Sequence, residues 1–124
     1  MLSDLEVMAT IPARDINRAR KFYTEKLGFK PESETAAGII FRSKNSLFMV
    51  YPTLVAGTAQ HTLAGWQTSQ LEQDVKDLRA RGIVFEEYDM PGLKTINGIA
   101  MTGPDKAAWF KDSEGNVLGI FQEG

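Results

Sequence analysis

One order of elements runs through this chain twice. In LEVMATI, residues 5–11, apolar positions alternate. Leu5, Val7, Ala9 and Ile11 share one face, and Met8 and Thr10 take the other, which predicts a strand. ARDINRARKFYTEKLGF follows. Asp15 is placed as an N-cap, and Ile16, Ala19 (or Arg20), Tyr23 and Leu27 recur at helical spacing. Gly28 stands where a helix should stop. Short strands are predicted near Phe29–Ser33, Gly38–Arg42 and Leu47–Tyr51, with the Ser43-Lys44-Asn45-Ser46 turn joining the last two. After a connector at about 53–61 the order restarts. TLAGWQT reads as a strand. SQLEQDVKDLRARG reads as an amphipathic helix with Leu71, Val75 and Leu78 in line and Gly82 closing it. IVFEEY reads as a strand and DMPGLKTING as a long loop with two turn signals, Pro91-Gly92 and Asn97-Gly98. IAMT, AAWFK and VLGIFQ finish as strands. Ile16 matches Leu71 and Tyr23 matches Leu78, a period of about 55 residues.

Strand, helix and three strands, repeated, is an α+β pattern. The expectation is one domain, 1–124, made of two βαβββ modules at about 1–52 and 62–124. Each helix covers one face of its small sheet and leaves the other free. Two such sheets side by side present a concave cleft. The chain's 124 residues suit one domain and bury roughly two-thirds of their unfolded surface. The net charge of −2, with scattered basic residues, argues against a nucleic-acid partner. With no cysteine, disulfides, zinc–thiolate sites and cysteine nucleophiles are excluded, and a cytoplasmic protein is expected. No apolar run is long enough for a membrane span, and MLSDLEVMAT lacks the basic-then-apolar order of a signal peptide.

Asp15-Ile16-Asn17-Arg18-Ala19, Phe22-Tyr23 and Leu27-Gly28-Phe29, together with the closing Phe110-Lys111-Asp112-Ser113-Glu114-Gly115-Asn116, resemble the vicinal oxygen chelate superfamily. That group holds glyoxalases, bleomycin-resistance proteins and extradiol dioxygenases. The closing stretch is similar to the family's Phe-x-Asp-Pro-x-Gly-Asn turn, with Ser113 in place of proline. The resemblance implies a homodimer whose ligand clefts form between modules of different subunits. It also implies metal ligands on the first, fourth, fifth and eighth strands in members that carry a metal. Here those positions fall on Met8, Met49 (or a neighbour), Leu63 and Gly119. Two thioethers, an isobutyl group and a hydrogen atom do not hold a hard or borderline cation. No metal and no cofactor is therefore expected.

Gly119 sits inside a strand, VLGIF, where glycine is weakening. It leaves either space for a ligand near the backbone or a bulge. The cleft is expected to draw on Met8, Thr10, Phe48, Met49 and Tyr51 from the first half. From the second half it would draw on Leu63, Trp66, Trp109, Gly119 and Phe121. Such a lining suits a small, partly aromatic or cationic molecule, because methionine adapts and aromatic faces attract cations. His61, the only histidine, reads either as a displaced metal ligand or general base, or as a connector residue at a strand entry. Glu86, Glu87 and Asp89 read as a solvated acidic edge, and Lys94 as a surface cation. The favoured function is metal-independent small-molecule binding of the sequestration or resistance type. The alternative is a lyase, isomerase or dioxygenase, metal-free or with a rearranged site recruiting His61 and carboxylates such as Glu6 or Glu32. A further alternative is an interaction module with a vestigial cleft.

Overall fold

The computed structural model describes residues 1–124. Its architecture is mixed α+β. The first sheet contains β1 (Ala9–Ala13), β2 (Pro31–Thr35), β3 (Gly38–Ser43) and β4 (Ser46–Pro52), in the order β1-β4-β3-β2. The second contains β5 (Thr62–Gln67), β6 (Asp89–Met90), β7 (Leu93–Ile96), β8 (Ile99–Thr102), β9 (Asp105–Lys111) and β10 (Val117–Gln122), in the order β5-β10-β9-β8-β7-β6. In both sheets the first strand lies parallel to the last: Ile11 stands opposite Val50, and Gly65 opposite Gly119. The remaining pairings are antiparallel. Helix α1 (Ile16–Lys21) continues as a wider π turn over Phe22–Lys26, and α2 spans Leu71–Ala80. No helix is long and apolar enough to cross a membrane.

The two halves share one apolar core. Ile11, Tyr23, Phe41, Val50, Phe110 and Leu118 belong to a single continuous cluster with no more than 1% exposure each. Within it Tyr23 and Phe41 stack at 5.7 Å, and Phe41 and Phe48 at 5.3 Å. Alternation along each strand sends these residues to the helix-covered face and their neighbours to the opposite, open face.

Both helices are capped by distant residues. Asp15 accepts from the Arg18 backbone N–H at 3.0 Å, a local cap worth about 1 kcal/mol. The N–H of Asp15 itself donates to Glu114 Oε1 at 2.8 Å, from 99 positions away. Glu114 thus fills the role that a glutamate three residues into the helix has in a capping box. Helix α2 has no side-chain cap at Gln70; the Leu71 N–H donates instead to Gln122 Oε1, at the end of β10, at 2.8 Å. The helix ends also mirror each other. Gly28 and Gly82 have φ of +81° and +90°, the left-handed C-cap conformation. Arg81 lies over Gly28 and Lys26 over Gly82, so each helix's terminal cation reaches the other's end.

Three sequence expectations change. Leu5–Met8 are not in a strand; Leu5 and Val7 are 68% and 97% exposed. In the same register Met8 and Val7 would meet only the first two residues of β4, Leu47 and Ser46, and Glu6 and Leu5 would lie beyond its end. IVFEEY is not a strand either. Ile83 and Phe85 are buried and Val84 is exposed, but Phe85 forms only one bridge, to Phe110. The alternation reflects anchoring in the core, without a pairing edge to follow. The expected long loop at 89–98 is a pair of hairpins, β6–β7 and β7–β8. Asn97 and Gly98, both at positive φ, make the two-residue turn of the second.

Candidate functional site

On the first sheet, Thr10 stands beside Met49 and Pro12 beside Tyr51, all on the open face, with Ile40 next to Met49 on β3. Met8 lies just before β1 and is 38% exposed. On the second sheet, Leu63, Gly65, Gly119, Phe121 and Trp109 share the open face. Edge strands β1 and β5 lie against each other. Two expected cleft residues are elsewhere. Phe48 is buried in the core against Tyr23 and Phe41. Trp66 faces the same side, stacked on Phe29 at 5.8 Å, with its indole N–H donating to Ser43 Oγ at 3.1 Å. A strand that points Met49 and Leu63 to one face must point Phe48 and Trp66 to the other.

Gly119 is neither an empty space nor a bulge. The register shift in β10 lies between Val117 and Leu118. The Phe121 ring leans back along its own strand over Gly119 and across the paired Gly65. A Cβ at 119 would stand 2.6 Å from Phe121 Cζ and 3.1 Å from Trp109 Cδ1; a Cβ at 65 would also collide with the ring. Two adjacent glycines therefore seat one aromatic ring flat on the sheet. Trp109 meets Phe121 edge-on at 6.2 Å, and Tyr88 meets Trp109 edge-on at 5.7 Å. The open face of the second sheet is thus an aromatic wall. Gly65 and Tyr88 were not anticipated; a second mid-strand glycine, in TLAGWQT, was the available signal for the first.

The residues present do not fit a divalent ion. The four positions that the resemblance marks for metal ligands offer two thioethers, an alkyl group and no side chain, and Phe121 covers the last. No group of three or more His, Cys, Asp or Glu side chains is arranged to hold a metal. His61 is exposed ahead of β5, with Nδ1 3.2 Å from the carbonyl oxygen of adjacent Thr62. The acidic stretch is divided: Glu86 faces Lys111 at 3.7 Å, while Glu87 accepts from the Thr95 hydroxyl at 2.9 Å and from the Gly98 N–H. Lys94 is exposed on β7. Glu32 pairs with Arg42 at 2.7 Å, and this ion pair holds the Glu32 carboxyl below its ordinary range.

The closing turn, by contrast, is a dense polar clasp between the halves. Asp112 Oδ1 accepts from the backbone N–H groups of Glu114 and Asn116, both at 2.9 Å. Its Oδ2 accepts from the Tyr23 hydroxyl at 2.6 Å and the Asn116 amide at 2.9 Å. That amide also donates to the Pro12 carbonyl, and Gly57 N–H donates to Asn116 Oδ1. Burial, then the Asp112 charge, pushes the Tyr23 phenol well above its usual range. Burial also pushes the Glu114 carboxyl up, but Arg18, the Asp15 N–H and the Ser113 hydroxyl outweigh it and hold the group down at about 2. The Glu114 side chain is fully shielded although Arg18 is half exposed.

A pH dependence follows. The folded value lies below the ordinary 4.5, so this stabilisation is complete above pH 4.5 and is lost as pH falls towards 2. The full effect is about 3 kcal/mol. Urea midpoints of the native chain and Glu114→Gln should differ most near neutrality and converge towards pH 2. A constant difference would show that Glu114 ionisation does not contribute.

Comparison with known proteins gives the following. Residues 7–120 match the model of the Glyoxalase/Bleomycin resistance protein/Dioxygenase superfamily. No curated protein sequence matches the chain. Among solved structures, the chain is similar to TnmS3, an antibiotic binding protein from Streptomyces sp. CB03234 (TM-score 0.68, 20% identity, covering 97% of this chain and 98% of that one). It is similar to a glyoxalase/bleomycin resistance protein/dioxygenase from Nocardioides (TM-score 0.69, 18% identity, 98% and 88% covered). It is also similar to the genomically encoded fosfomycin resistance protein FosX from Listeria monocytogenes (TM-score 0.70, 10% identity, 97% and 93% covered). At these identities the likeness is one of fold.

Proposed function

The chain belongs to the Glyoxalase/Bleomycin resistance protein/Dioxygenase superfamily, and from that premise we propose that it is a metal-independent small-molecule binding protein of the sequestration or resistance type. The observation that carries this reading is the seat of Phe121 on Gly65 and Gly119. The position where metal-bearing members place a carboxylate supports an aromatic ring instead. Trp109 and Tyr88 extend that ring into a wall, and Met49 with Met8 supplies deformable apolar surface from the other half. A flat, partly aromatic or cationic molecule is the chemistry such a surface recognises. Similarity in fold to an antibiotic binding protein and to a fosfomycin resistance protein supports a role of the binding or resistance type. A cytoplasmic homodimer, with the open face of one subunit's first sheet opposing the partner's second sheet, would close the cleft.

The test is a titration with the planar aromatic cation proflavine in excess chelator. Trp109 is the reporter, isolated by Trp66→Phe. We expect saturable quenching without metal, and a loss of affinity of at least tenfold, about 1.4 kcal/mol, in Phe121→Ala. Binding that appears only when Ni, Zn, Mn or Fe(II) is added would overturn the reading, as would binding indifferent to Phe121.

A further inference from the structure

A second hollow lies on the opposite side of the molecule, between the helices, with a volume of about 450 Å³. Pockets for small ligands span roughly 300–1,000 Å³. Its apolar floor is the stacked pair Phe29 and Trp66, one residue from each half of the chain, with Leu78 beside them. Ser43 holds the Trp66 indole N–H, so the polar edge of that ring is satisfied. Asp74, Asp77 and Arg81 also line the hollow, spaced along α2 and its C-terminal end.

The arrangement of those charges is informative. Asp77 and Arg81 are four residues apart with the acid first, the spacing and order that favour an intrahelical ion pair. They do not form one, and Arg81 enters no ion pair at all. Its guanidinium lies across Gly28, on the other half of the chain. Asp77 accepts the Gln73 amide on Oδ1 at 2.9 Å and keeps Oδ2 free of any side-chain partner. Asp74 is occupied by the Thr68 hydroxyl and the Gln70 amide. The hollow therefore combines an aromatic floor, one carboxylate oxygen without a partner and a cation without an ion pair.

We propose that this inter-helix pocket binds a small aromatic zwitterion, with its ring on Phe29 and Trp66, its ammonium towards Asp77 and its carboxylate towards Arg81. The charges are complementary one for one. A carboxylate gains geometric specificity from a guanidinium fork. The site is independent of the sheet cleft and of the function proposed for it.

The experiment uses the full chain carrying Trp109→Phe, so that Trp66 is the only indole. Three probes are titrated: L-phenylalanine, 2-phenylethylamine, which lacks the carboxylate, and 3-phenylpropionate, which lacks the ammonium. L-phenylalanine should change Trp66 emission saturably, with a Kd of about 0.1–1 mM for a ligand of this size. Each truncated probe should bind at least tenfold more weakly. Arg81→Gln should reduce L-phenylalanine to the affinity of 2-phenylethylamine and leave the latter unchanged. Asp77→Asn should do the same with respect to 3-phenylpropionate. Calorimetry on the unsubstituted chain guards against a silent reporter. Neither heat nor emission change with L-phenylalanine, equal affinity for all three probes, or no effect of Arg81→Gln would each overturn the proposal.

Discussion

Asp112→Ala is expected to destabilise the chain by about 3–5 kcal/mol, the largest effect of any single polar substitution in this fold. Asp112 is 6% exposed and accepts four hydrogen bonds. Truncation leaves two backbone N–H groups, the Tyr23 hydroxyl and an Asn116 amide hydrogen without this acceptor, in a place water does not reach. Buried donors without partners cost far more than the net gain of a hydrogen bond. The lost contacts also join distant parts of the chain: Tyr23 lies in the first helical segment and Asp112 follows β9. Tyr23→Phe removes a single donor and should cost only about 1–2 kcal/mol. Urea unfolding of the two variants measures both. An Asp112→Ala chain within about 1 kcal/mol of the native one would show that the clasp is not a determinant of stability.

Gly119→Glu, which places a carboxylate where the resemblance puts a metal ligand, is expected to weaken the proposed aromatic ligand binding by at least a hundredfold without creating a metal site. The new Cβ would enter the Phe121 ring, and the ring must swing off the sheet. A charge then replaces the flat apolar surface in the proposed cleft. Met8, Met49 and Leu63 still offer no hard donor to complete a coordination sphere. Phe121 is only partly buried, so the ring has somewhere to go and the stability cost stays at about 1–2 kcal/mol. Phe121→Ala in the same chain should recover much of that stability, since it removes the collision, but none of the binding. Proflavine titration and elemental analysis after soaking in Ni, Zn, Mn and Fe(II) give the two readouts. A stoichiometric ion in Gly119→Glu would mean that other donors reach this face.

The two helices and the strands of the first half were legible because periodicity reports burial; the second half was expected to add three strands after its helix and adds five. Asp15, Tyr23, Leu71 and Val75 sit where their spacing put them, and Gly28 and Gly82 end their helices. The cleft inventory was less legible, and part of that was avoidable. Phe48 and Met49 are adjacent, and Leu63 and Trp66 differ by three. Strand parity alone divides each pair between two faces. Which member faces the open side depends on partners far along the chain, Ile11 for Val50 and Leu118 for Ala64. The front of the strand expected at 5–11 and the strand expected at 83–88 failed for a related reason. Alternation records which side is buried, whereas a strand also needs a neighbour with free backbone groups.

Local pattern in the residues was enough to establish the α+β class, because it depends on side-chain type and short-range spacing. It was also enough to mark Gly119 as a residue needing a reason. The reason itself came from three-dimensional placement: Phe121 folds over Gly119 and over Gly65, which lies 54 residues earlier on a parallel strand. The clasp of Asp112 and Glu114 on the first helix, and the reach of Arg81 across to Gly28, are of the same kind. These contacts join residues that chain spacing does not relate, and packing alone brings them to van der Waals or hydrogen-bonding distance.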